Sequence, residues 1–167
     1  MQKLPDMSAY SNLAMGITLA VPAGWTGKVL APLAFRIFSP PAPKYNNYRA
    51  TLSVEKIDLK EDDGKKDMQY GKEALEALIT QAQDDLKSEM QNFQSQREER
   101  YTGPGGLPAY SHWFRWLEPE TGTAYSQIQA FLLTPEGYLY IFNAAMLKPL
   151  ESEYLSIFDY MIHSAHI

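Results

Sequence analysis

Apolar residues recur at every second position in Gly16–Trp25, GITLAVPAGW, where Ile17, Leu19 and Val21 fall on one face of a predicted strand. Pro22 has no amide hydrogen and ends the ladder, Gly24 can take a positive φ, and Trp25 can fold back over the strand end. A second short strand is expected at Phe35–Phe38. It is cut off by Ser39-Pro40-Pro41-Ala42-Pro43, whose prolines force an extended loop, and Tyr45-Asn46-Asn47-Tyr48 follows as a polar turn. Ala50, Leu52 and Val54 then alternate with Thr51, Ser53 and Glu55 as a half-buried strand.

The period changes after Lys60–Lys72, a charged stretch that reads as a solvated loop. Leu75, Leu78, Ile79, Ala82, Leu86, Met90 and Phe93 form the stripe of an amphipathic helix. A polar strand at Ser95–Tyr101 leads to the turn Gly103-Pro104-Gly105-Gly106. Ala109–Leu117 sets Tyr110, His112, Phe114 and Trp116 on one face and Ser111, Trp113 and Arg115 on the other. Pro119-Glu120-Thr121-Gly122 and Pro135-Glu136-Gly137 turn the chain into Ala124–Leu133 and Tyr138–Ala145, an antiparallel meander. From Pro149, Leu150, Tyr154, Leu155, Phe158, Met161 and Ile162 give a closing helix. Two helices with one apolar stripe each need one sheet to cover, so the expected fold is α+β, an antiparallel sheet flanked by helices. No repeat or linker divides the chain. It reads as a single domain over 1–167, with a core at about 13–164 and an N-terminal extension at 1–12.

The composition, 45% hydrophobic and 13% aromatic over 167 residues, is that of a folded domain with a sizeable core. With 20 acidic against 15 basic residues and no basic stripe, nucleic acid is excluded as the expected partner. Arg97-Glu98-Glu99-Arg100 shows how the basic residues sit beside acids. The absence of cysteine removes disulfides, thiolate metal sites and cysteine nucleophiles. No apolar run reaches bilayer length, and MQKLPDMSAY lacks the plan of a signal peptide. The expected location is cytoplasmic if Met1 is the native start, and extracytoplasmic otherwise.

Candidate chemistry is sparse. Asp159, His163 and His166 share a helix face at metal-ligand spacing, against which stands the reading of a frayed polar C-terminal turn; no metal is expected. Ser111 and His112 point to opposite faces of one strand and cannot act as nucleophile and base. The glycines at 103–106 carry a proline and precede a strand, so they do not make a phosphate cradle. Glu61-Asp62-Asp63-Gly64 fails as a calcium loop, because Leu59 falls where the first acidic ligand is required. No catalytic residue and no cofactor are expected. The aromatics of the meander are the richest signal. Trp113, Tyr125, Gln127, Gln129 and Phe131, with Tyr140 nearby, mix rings and amides as a partly open, adhesive sheet face would; a face fully covered by helices is the alternative.

The strand closing in Pro-Ala-Gly-Trp, the strand at Ala50–Val54, the helix at Glu73–Met90 and Gly106-Leu107-Pro108-Ala109 leading into the meander resemble a known fold family. So does the close of the last helix in Ile162-His163-Ser164. The resemblance is to proteins with the fold of the photosystem subunit PsbP and the Ran-binding Mog protein, and it covers about residues 13–164. It implies an α/β/α sandwich, generally without catalytic residues, in accessory binding proteins. These include photosystem subunits, bacterial lipoproteins, a Ran-binding factor and Eag-type chaperones that shield transmembrane helices of secreted effectors. Gln127-Ile128-Gln129-Ala130-Phe131 looks most like the Eag branch. The chain departs from the lipoproteins in lacking a lipidated cysteine, and from the others in its loops at Ser39–Lys44 and Glu61–Lys72.

The expected function is therefore a non-catalytic, chaperone-like accessory module that binds a protein segment, such as an apolar or transmembrane helix, on its sheet face. An extracytoplasmic structural accessory and a small metal-dependent hydrolase using His112 or the C-terminal histidines are the alternatives.

Overall fold

The structure, a computed structural model, describes residues 3–63 and 70–167. Among these residues the chain forms β1 (Met7–Asn12), β2 (Ile17–Pro22), β3 (Thr26–Ala31), β4 (Ala34–Phe38), β5 (Thr51–Asp58), α1 (Leu59–Asp63) and α2 (Lys72–Glu89). It continues through β6 (Gln94–Thr102), β7 (Pro108–Leu117), β8 (Ala124–Leu133), β9 (Tyr138–Leu147) and α3 (Glu151–Ser164). Seven strands make one antiparallel sheet in the order β3-β4-β5-β9-β8-β7-β6. The chain enters at the β3 edge, steps inward to β5, passes through α2 to the far edge at β6, and meanders back until β9 closes against β5.

One face of this sheet is fully packed. Phe35, Ile37, Leu52, Val54, Ile128, Ala130, Leu132, Phe142, Ala144 and Met146 are all buried there. They meet Tyr154, Ile157, Phe158, Met161 and Ile162 of α3 together with Ile17, Leu19 and Val21 of β2. The period-two and period-3.6 stripes thus bury each other, the main source of stability for such layers. The β1–β2 hairpin lies in the same layer as α3. Its Tyr10 ring presses so closely on β3 that a Cβ at Gly27 would come within 2.5 Å of it. The Pro-Ala-Gly-Trp corner closes as expected: Gly24 takes φ 87°, and Trp25 meets Tyr154 and Phe158 at centroid distances of 5.5 and 5.4 Å.

Several expectations change. Residues 7–12, read as an extension, form β1, paired along its length with β2. β3 is a strand although all six of its residues are exposed, which erases the burial pattern that would reveal it. Within Lys60–Lys72, Leu59–Asp63 ends in a helical turn and Tyr70 is buried beside Leu75 and Leu139, so the stretch is not uniformly solvated. Gly64 of the rejected calcium loop lies outside the described residues. The α2 stripe stops at Leu86: Met90 is already extended, and Phe93 packs instead on His112 and Phe114. The last turn does not fray. His166 and Thr18 exchange two backbone hydrogen bonds of 2.9 Å, and Ala20 N–H donates to Ser164 Oγ at 2.9 Å.

Candidate functional site

On the opposite face, strand pairing lines side chains up in rows across the sheet. One row is polar from end to end: His112 stands opposite Gln129, then come Asn143, Ser53, Arg36 and Lys28. The rows on either side are mixed: Tyr110, Phe131 and Ile141 run to Glu55 on one side, and Phe114, Gln127 and Ala145 run to Thr51 on the other. Trp116 stacks on Tyr125 at the end of β7 and β8, ring centroids 5.1 Å apart. α2 covers only the start of this face. Leu75 and Ile79 pack on Tyr110, Phe131, Leu133 and Leu139. Beyond them Asn143 is exposed and Tyr125, Gln127, Gln129, Ile141 and Ala145 are half-buried.

Two grooves mark the uncovered part. The first, about 380 Å³, runs between α2 and the sheet and is lined by Leu78, Ala82, Gln129, Phe131 and Ile141 among others. The second, about 330 Å³, holds Arg36, Ser53, Glu55, Asn143 and Leu30, and it shares Ile141 with the first. Three buried polar atoms on this face find no hydrogen-bond partner among the described residues: His112 Nδ1, Trp116 Nε1 and Gln129 Oε1.

The expected set of Trp113, Tyr125, Gln127, Gln129 and Phe131 is only partly brought together. The four β8 residues share the face, with Phe131 already buried under α2. Trp113 is the correction. It pairs with Ile128 and therefore points to the α3 side, where its Nε1–H donates to Ser126 Oγ at 2.9 Å and its ring carries the Arg115 guanidinium. Tyr140 also faces that side and donates its hydroxyl to the Met15 carbonyl at 2.5 Å. The sequence reading missed Trp116, Ile141, Asn143, Ser53 and Arg36 as members of this face; the alternation of β4, β5, β7 and β9 carried that signal, but only the register joins it to β8.

The histidines take structural positions. His112 is buried among Phe93, Tyr110 and Phe114, and burial pushes its imidazole below the usual histidine range despite Glu98 at 3.7 Å. Its Nε2 contacts Ser95 Oγ at 2.8 Å, a serine–histidine pairing that sequence spacing did not suggest. Among the described residues no carboxylate pairs with Nδ1, the place an orienting third group takes in a catalytic triad. His163 stacks on Tyr101 and contacts the Asp159 carbonyl oxygen through Nδ1, while Asp159 pairs with Arg97. Among the described residues no group of three or more His, Asp and Glu side chains is arranged to hold a metal.

No protein-family profile and no curated protein sequence matches the chain. Solved structures do, across nearly its whole length. The cyanobacterial PsbP (CyanoP) of Synechocystis matches with a TM-score of 0.60 at 17% identity, over 99% of this chain and 94% of that one. LpqN, involved in cell envelope biogenesis of Mycobacterium tuberculosis, matches with 0.63 at 18% over 90% and 82%. The Saccharomyces cerevisiae Ran-binding protein Mog1p matches with 0.60 at 10% over 98% and 96%. The chain has the PsbP/Mog-like fold, an α+β antiparallel sheet between helical layers.

Proposed function

We propose that this protein is a non-catalytic, chaperone-like accessory module that receives an apolar segment of a protein partner on the half of the sheet face left bare by α2. The carrying observation is the pair of joined grooves lined by apolar Phe131 and Ile141 and by the amides of Gln129 and Asn143, with the cross-strand pair Gln127 and Ala145 half-buried on the same face. Rings and aliphatic side chains supply contact area, while the amides can pair with a polar side chain or with the unpaired backbone groups at a helix end. Proteins that share the fold include a Ran-binding protein, so protein binding is a use this architecture supports. Among the described residues no helix is long and apolar enough to cross a membrane.

The test is direct binding of a fluorescein-labelled apolar helical peptide of about 20 residues, the length that spans a bilayer. Wild-type protein should raise its anisotropy. Asn143→Arg and Gln127→Arg should each weaken binding at least about tenfold with melting point and far-UV circular dichroism unchanged. If the wild type leaves the peptide free, or both variants bind as well as it does, the face is not the site and attention passes to Ser39–Tyr48.

A further inference from the structure

The polar row ends in two cations. Arg36 on β4 and Lys28 on β3 are direct cross-strand neighbours. Arg36 is half-buried and donates Nε–H to Ser53 Oγ at 2.8 Å, which orients its guanidinium over the second groove. Among the described residues neither cation is in an ion pair, whereas Arg97, Arg100 and Arg115 at the other end of the sheet each hold a carboxylate. Like charges directly opposite each other weaken a sheet, and an anion between them removes that penalty. The placement also opposes the molecule's net charge of −5. Glu55, in the same groove, lies one row away, beside Ala34 and Ile141, and makes no ion pair with Arg36.

We propose that Arg36 and Lys28 form a carboxylate clamp, so that the segment this face receives is an apolar helix bearing one Asp or Glu. The inference rests on the binding-face reading above. Gln129 and Arg36 stand three strands apart, about 14 Å at ordinary strand spacing. The acid therefore belongs about nine helical residues from the position that meets Gln129, near one end of the apolar stretch. A guanidinium pre-oriented by Ser53 suits a carboxylate better than a neutral amide, and Lys28 adds a second, mobile charge.

Three fluorescein-labelled apolar peptides, identical except for Glu, Gln or Lys at that position, test the clamp. The Glu peptide should bind about tenfold tighter than the Lys peptide, and added salt should shrink the difference. Lys28→Glu with Arg36→Glu should invert the order, and Glu55→Gln should tighten the Glu peptide alone. Equal binding of the three peptides overturns the clamp while leaving the binding face standing. So does an unchanged preference in Lys28→Glu, a substitution on an exposed edge strand that leaves the fold intact. If none of the three binds, the binding face fails and the clamp with it.

Discussion

Trp25 stands nearly at right angles to Tyr154 and Phe158, an arrangement in which aromatic pairs attract beyond their simple area. Trp25 is half-buried and packs its ring on α3, so Trp25→Ala should cost about 3 kcal/mol, read as a lower urea midpoint with an unchanged slope. His112 gives a residue-scale test with a sign. Burial lowers its folded-state pKa, Glu98 opposing and Lys87 adding to the shift, so the unfolded chain binds the extra proton first. The stability this neutral, buried ring contributes is fully present above the unfolded pKa of 6.5 and is lost as pH falls from there through the folded value. His112→Phe, a ring among rings, should flatten the part of the stability profile that falls below about pH 6.5 in wild type.

At the scale of elements, the carboxy-terminal turn behaves as part of the β2 layer. Removing Ser164–Ile167 deletes the acceptor for Ala20 N–H, both Thr18–His166 backbone bonds and the buried Ala165. The expected loss is about 2–4 kcal/mol by chemical denaturation, well above that of a frayed end. This coupling was hidden in the sequence, since nothing local in His163–His166 announces a partner near residue 18. β2, β5, β7, β8, β9, α2 and α3 were legible because each buries one face and writes that burial as a period. β3 was not, because an edge strand exposed on every residue has no burial to write. β1, MSAYSN, likewise alternates too weakly to be read. Of the binding face, the β8 residues could be read, but assigning Trp113 to it failed. A strand's alternation gives two faces without saying which one meets its neighbour's, and the Trp113–Ile128 register decides that.

Taken whole, the molecule is lopsided. α3 and the β1–β2 hairpin share one continuous core, while α2 holds its own face through the smaller cluster of Leu75 and Ile79, with Ala74, Leu78 and Ala82 only partly buried against it. Native-state hydrogen exchange should therefore show α2 amides opening at lower free energy than those of β5, β8 and β9, by about 2 kcal/mol or more. Exchange from α2 only at the global unfolding energy would contradict this layering. The pairing of Thr18 with His166 has a further meaning during synthesis. Translation delivers the hairpin before any strand of the seven-stranded sheet, and its fastening partner at residue 166 only after all of them. On the ribosome, then, Ile17, Leu19 and Val21 wait with their apolar faces unsealed until residue 166 has emerged, and the interval in which a nascent chain is most exposed to misassociation is set by elongation rather than by any local propensity.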